Sequence, residues 1–233
     1  MRVLLVRVGA DQSPAGGRFN GPVDLATRRF VYIGIPETRP VLLGYEHRYG
    51  SAGLAARLAG MGAPLPERLR HRNMHLDPDF EHCTYGDHGR RAAQLADLER
   101  NDIIVFYAGL HAAGQHELVY ALVGQLTVDR HVLAGEIKDP SLNVHAQRRP
   151  VVADDVVVIG SRAGSGRYVR CIPIGEFRER AYRVRRELLR EWGGLSVRNG
   201  FLQRSAGFPH LLHPEKFLTW LATRGTRLIR RNI

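Results

Sequence analysis

Cysteine is scarce: Cys83 and Cys171 are the only two in 233 residues. That excludes a disulfide framework and a thiolate zinc ribbon, and both are expected as reduced, partly buried thiols. Cys83 lies in a polar motif, where a reactive role is an open alternative. No run approaches the roughly 20 apolar residues of a membrane-spanning helix, so no membrane partner is expected. The opening "MRVLLVRVGAD" is too short and too broken by Arg2 and Arg7 for a secretory leader, and the expected location is cytoplasmic. The Gly-Lys-Ser/Thr of a Walker loop and the G-x-G-x-x-G of dinucleotide folds are both missing. Repeats, low-complexity tracts and clear linkers are missing too, so one domain over 1–233 is expected.

What is present is positive charge, unevenly placed. Residues 162–231 hold sixteen Arg or Lys against five Asp or Glu, and residues 1–161 hold eighteen of each. The whole net charge of +11 therefore comes from the C-terminal third. The expected layout is a charge-balanced, β-rich body over 1–160 and a basic hairpin-helix portion over 161–233 packed on it. Arg greatly outnumbers Lys there, and guanidinium forks onto phosphate better than ammonium does. A polyanionic partner, a nucleic acid or nucleotide, follows.

Hydrophobic patterning predicts strands at 2–8, 28–36 and 41–45. Helices are expected at 52–62 and 89–100. "DIIVFYAG" and "ELVYALVGQLTVD" (102–129) read as one antiparallel hairpin, and "DDVVVIG" with "RYVRCIPIG" (154–175) as a second. Phe177, Ala181, Val184, Leu188 and Trp192 share a helical face, predicting a helix over 176–192 that Gly193-Gly194 ends. A last helix starts near Pro214. Strands arranged in hairpins argue for an α+β protein with an antiparallel or barrel-like β core and flanking helices.

Chemistry concentrates in "HLDPDFEHCTYGD" (75–87). His75-x-Asp77 with a remote His111, His116 or His145 has the spacing of a two-His-one-carboxylate metal triad, yet the spacing is short and the chain rich in His, and no metal or other cofactor is assigned. Asp77-Pro78 and Tyr85-Gly86-Asp87 suit self-capped turns. Equally, Asp77, Asp79 and Asp87 could hold a base or sugar by accepting its hydrogen bonds. The long loop 9–24 offers Gly16 and Gly17 for backbone approach to an anion, with Asp11, Ser13, Arg18 and Asn20 as polar contacts. "SRAGSGR" is a second possible phosphate cradle, flanked by Arg162 and Arg167. Arg183, Arg185, Arg186 and Arg190 lie off the apolar face of the predicted helix, where they would position a nucleic acid rather than specify it. Tyr85 and Tyr107 could stack on a base.

Together "VGADQSPAGGRFNGPVD", "FVYIGIPE", "HLDPDFEHCTYGD", "NDIIVFYAGL" and "WGGLSVRNGFLQRS" resemble the bacterial and phage family called nucleotide modification associated domain, the third so named. The resemblance covers nearly the whole chain and implies a link to DNA base modification without naming a reaction. Asp11, Gly16, Gly17, Asn20, Asp77, Asp79, Tyr85, Asp87 and Tyr107 fall in its signature stretches. The pair "NDIIVFYAGL…ELVYALVGQLTV" also looks like the strands of PUA-like barrels, including the EVE and ASCH types, which implies a fold and not a function.

Three functions follow. The first is a module binding a modified or flipped nucleotide in a polar-aromatic pocket, with an arginine-rich face for phosphates. The second is an enzyme modifying a nucleotide or base, with Asp11, His75, Asp77, Asp79 or Asp87 as acid, base or metal ligand. The third is a scaffold bound to DNA-modification enzymes.

Overall fold

The computed structural model describes residues 1–9, 19–203 and 206–233. Its strands are β1 (Val3–Arg7), β2 (Pro22–Val23), β3 (Ile35–Pro36), β4 (Met74–His75), β5 (Thr84–Asp87), β6 (Ile103–Ala112), β7 (Leu118–Leu133), β8 (Val156–Gly160), β9 (Gly166–Pro173), β10 (Gly175–Arg178), β11 (Ala181–Val184) and β12 (Leu228–Ile229). The α-helices are α1 (Ala52–Gly60), α2 (Glu67–Arg70), α3 (Gly89–Ala96), α4 (Val144–Gln147), α5 (Arg186–Glu191) and α6 (Pro214–Ala222). The class is α+β, as the sequence indicates.

The main sheet runs β1-β6-β7-β8-β5, with β2 beside β6, β9 beside β7 and β12 beside β9. β1 and β2 lie parallel to β6, and the other pairings are antiparallel. The path has two free ends, so the described sheet is open and the barrel-like expectation is not met. A parallel β1–β6 pair needs a long crossover instead of a hairpin turn, and residues 8–102 supply it.

Alternating residues of β6 enter two cores. Ile104, Phe106, Ala108 and Leu110 pack with α1, α3 and the 30–33 stretch. Ile103, Val105 and Tyr107 pack with Val184, Leu188, Trp192, Phe217 and Trp220 from the C-terminal third. A strand buried on both faces needs an unbroken apolar run, which explains "IIVFYAGL".

The first hairpin forms as expected, with β7 continuing to Leu133. The second does not. β8 pairs with β7 at Val128–Leu133, and β9 pairs with β7 at Ala121–Gln125. The two are successive halves of one interrupted partner strand. Between them residues 161–165 bulge away, held where the Thr127 hydroxyl donates to the Gly164 carbonyl at 3.1 Å and the Ser165 hydroxyl accepts from Thr127 N–H at 3.1 Å.

The predicted helix over 176–192 is β10, β11 and the shorter α5. Arg178 pairs with Ala181 around Glu179 and Arg180, both at positive φ (51° and 59°). That is a two-residue hairpin turn, formed without Gly or Asn. The expected strand at 41–45 reduces to an isolated bridge from Val41 to Arg148. Within 28–36 only Ile35–Pro36 pairs as a strand. The helices at 52–62 and 89–100 are present but shorter, and the last begins at Pro214.

Candidate active site

The 75–87 segment divides its labour. Its tip is a self-capped turn: Asp79 and Thr84 exchange backbone hydrogen bonds, and the Asp79 carboxylate accepts from Glu81 N–H, His82 N–H, the His82 ring and the Asn232 amide. Asp79 is thus structural and borders neither cavity described below. Cys83 is buried with its thiol directed at the Phe80 carbonyl, and burial raises its pKa.

Either side of that turn, His75, Asp77, Tyr85, Gly86 and Asp87 line one cavity of about 170 Å³ with Arg7, His88, Arg91, His145 and Arg148. Local structure aims each group. The β3–β4 pair opposes Ile35 to His75 and sets Glu37 behind the imidazole, Nδ1 to Oε2 2.7 Å. Asn143 caps α4, accepting from His145 N–H, while its amide donates to Asp77 Oδ1 at 3.1 Å. Gly86 N–H also donates to Asp77, 2.9 Å from Oδ2. Asp155, just before β8, takes His145 Nδ1 at 2.6 Å. A Cβ on Gly86 would stand 2.6 Å from the His145 ring, so only glycine permits this approach.

The result is a chain of groups, Glu37–His75, Asp77, His145–Asp155. Both imidazoles turn Nε2 toward Asp77 Oδ2, at 3.9 Å from His75 and 3.5 Å from His145. Arg148 crosses behind, 3.1 Å from Glu37 and 3.5 Å from Asp155. Asp77 and His145 side chains are each 2% exposed, and among the described residues His145 Nε2 has no hydrogen-bond partner. Burial alone would raise Glu37, but the His75 hydrogen bond and the charges around it hold it at about 2. Burial alone would lower His145, but its hydrogen bond to Asp155 and the Asp77 carboxylate beside it lift it to about 9. Beside them Tyr85 donates to Asp87 at 3.0 Å, and Arg91 lies 3.6 Å from the same carboxylate.

A larger cleft, about 1300 Å³, opens elsewhere between α1, β9 and the 19–31 stretch. Asn20 lies there, donating to the Gly109 carbonyl at 2.8 Å. Arg29, Arg57, Arg167 and Arg170 line it, and among the described residues the one carboxylate on its wall is Asp24. Arg167 is 6% exposed, lies over the Phe30 ring and donates to the Arg231 carbonyl. Burial and the nearby Arg57 pull its pKa to about 10, and among the described residues it has no carboxylate partner.

The other expected residues fall away from both spaces. Tyr107 is buried in the second core, donating to the Leu202 carbonyl, and cannot stack on a ligand. Arg183 is 15% exposed, bound to Glu179 and the Arg198 carbonyl over the Phe201 ring. Arg162, Arg185, Arg186 and Arg190 border neither cavity. The proposed cradle at 161–167 is filled by Thr127, whose hydroxyl lies 2.3 Å from where a Gly164 Cβ would be. Asp11, Ser13, Gly16, Gly17 and Arg18 lie outside the described residues. Of the three histidines that could complete the His75-x-Asp77 set, His145 is the one that arrives; His111 borders the larger cleft and His116 is exposed. Glu37, Asn143, Arg148 and Asp155 carried no local sequence signal.

These features define an α+β protein with a buried histidine–carboxylate cluster on the wall of a small cavity and a separate basic cleft. The chain belongs to the nucleotide modification associated domain 3 family, whose model matches residues 2–194. No curated protein and no solved structure gives a significant match. Among the described residues no helix is long and apolar enough to cross a membrane.

Proposed function

We propose that the protein is an enzyme that modifies a nucleotide or a base in DNA, with chemistry at the small cavity and phosphates held along the basic cleft. Membership of a nucleotide-modification family supports a nucleotide or nucleic acid as the substrate. The observation that carries the reading is the convergence of two carboxylate-backed imidazoles on one buried carboxylate oxygen. Buried ion networks are a weak source of stability, whereas strongly perturbed titratable groups lining a cleft mark reactive sites. The cavity is smaller than the roughly 300–1,000 Å³ of ordinary ligand pockets, so it admits the reacting end of a substrate and not a whole nucleotide. Asp77 and the imidazoles of His75 and His145 meet the reacting end of the substrate at the cavity wall, and Asp87, backed by Tyr85 and Arg91, accepts a hydrogen bond from it. The cleft exceeds that range and suits a polymer: Arg57, Arg167 and Arg170 meet phosphates there. A purely base-reading module fits less well, because Tyr107 is sealed in the core and Tyr85 presents its hydroxyl to Asp87.

The test is expression in a bacterial host, so that the cell supplies co-reactants, followed by digestion of total DNA and mass spectrometry of the nucleosides. A new nucleoside that disappears with Asp77→Asn, in a variant that still melts cooperatively, is the expected result. Salt-sensitive DNA retention with no new nucleoside would leave the binding reading in its place.

A further inference from the structure

Each imidazole at the cavity has its tautomer fixed from behind. Glu37 and Asp155 are carboxylates at neutral pH, so Nδ1 of His75 and of His145 must donate to them. With Nδ1 donating, a ring that gives up its other proton when a metal ion binds offers a lone pair at Nε2. Both Nε2 atoms face the same Asp77 oxygen, which also accepts from Gly86 N–H, so three candidate ligand atoms converge at one point. His145 Nε2, on a side chain 2% exposed, has no hydrogen-bond partner among the described residues. The surrounding charges point the same way. Glu37, Asp77 and Asp155 gather three carboxylates around the two imidazoles and Arg148, and a cation held among them offsets the cost of desolvating that charge.

We infer that His75 Nε2, Asp77 Oδ2 and His145 Nε2 form a binding site for one divalent transition-metal ion open to the small cavity. The three ligand atoms lie within 4.8 Å of one another. Ligands about 2.1 Å from one ion stand about 3.0–3.4 Å apart in octahedral or tetrahedral sites. The His145–Asp77 separation of 3.5 Å already fits, and the His75–Asp77 separation of 3.9 Å closes by a small ring rotation. Glu37 and Asp155 supply the carboxylate–histidine support typical of metal-bound imidazole, and Asn143 holds Asp77 Oδ1 so that Oδ2 stays turned inward. Two nitrogens and one oxygen without thiolate favour iron, cobalt, zinc or manganese over magnesium or calcium. Three protein ligands leave coordination positions facing Tyr85, Asp87 and Arg91, where a substrate oxygen or a water would bind. The ion deepens the enzyme reading above: its purpose rests on that reading, and its occupancy does not.

The probe is Co²⁺, titrated into the chelator-stripped full chain and followed by visible absorption and calorimetry. The expected result is one ion per chain, displaced by Zn²⁺ and not by Mg²⁺, with a rise in melting temperature that chelator reverses. His145→Gln and Asp77→Ala abolish binding. Glu37→Gln and Asp155→Asn weaken it by about 10–100-fold, as loss of a carboxylate behind a ligating imidazole does elsewhere. His111→Ala and His116→Ala leave it intact. Wild-type protein that takes up no Co²⁺ overturns the inference whatever the variants do, as does binding that survives both ligand substitutions. Stoichiometric binding with no nucleoside formed in the host keeps the ion site and removes the enzyme reading. A nucleoside formed by protein that binds no ion does the reverse.

Discussion

At the scale of single residues, the site depends on one missing side chain. Gly86 lies edge-on to the His145 imidazole, and a methyl group there overlaps the ring by about an ångström. Gly86→Ala is expected to cost about 1–3 kcal/mol, the usual range for overpacking, and to push His145 off Asp77; urea melts and the host nucleoside assay read the two effects separately. Asp79, in the same motif, behaves oppositely, since its bonds hold the turn alone. Its partner His82 is raised from its ordinary pKa chiefly by the Asp79 hydrogen bond, against partial burial, with Glu81 and Asp139 adding to the rise. A raised histidine stabilises fully below its unfolded value of 6.5 and loses that stabilisation as pH climbs through the folded value. His47, the other titratable ring nearby, is lowered, mainly by burial. The stability gap between wild type and His82→Gln should therefore be wider at acidic than at alkaline pH in paired thermal melts. A gap that grows with pH would show that the ion pair contributes nothing.

At the scale of elements, what the sequence revealed depended on how far each interaction reaches. The β6–β7 hairpin, α1, α3 and α6 rest on local periodicity and were readable. The 176–192 stretch was not. Phe177, Ala181, Val184, Leu188 and Trp192 keep a helical spacing, but Glu179-Arg180 turns the chain without the Gly or Asn that announces such turns. In the structure Phe177 is 48% exposed, stacked edge-on to Tyr182. Left-handed backbone at an exposed arginine is unfavourable, so Arg180→Gly should stabilise the protein by roughly 0.5–1 kcal/mol, the gain usual for turn optimisation, seen as a higher melting temperature. The second hairpin was misread for a different reason. β8 and β9 look like hairpin arms in sequence, and only the length of β7 shows that both lie along one neighbour. Half of the site was legible in 75–87, where His75, Asp77 and Asp87 sit close together. Glu37, His145, Arg148 and Asp155 come from three other segments, and nothing in their own neighbourhoods marks them as partners.

At the scale of the whole molecule, part of the positive charge concentrated after residue 161 is met locally by carboxylates. Arg178, Arg183 and Arg186 are drawn into contacts with Glu176 and Glu179. The arginines that face an open space come from both halves of the chain, Arg29 and Arg57 with Arg167 and Arg170. If phosphates bind there, replacing Arg57 and Arg170 with Ala should lower DNA affinity and reduce the salt slope by about one unit for each lost phosphate contact. Replacing Arg183 and Arg186 should leave the slope unchanged. Binding isotherms at several salt concentrations separate the two sets, and the opposite pattern would remove the cleft from the interface.

Asn232 lies outside the family-matched residues, yet its side chain accepts from Phe80 N–H at 2.7 Å and donates to Asp79 at 2.9 Å, 152 and 153 positions away. The turn beside Asp77 is therefore latched by a residue that follows β12, far along the chain from the turn it holds. Closing so long a loop is entropically costly, so the wall that carries Asp77 is secured only when the segment around residue 232 docks, after the sheet and the strand shared by both cores have formed. Asn232→Ala, which frees the latch and leaves every cavity residue in place, should slow the recovery of activity after refolding more than it slows the recovery of secondary structure.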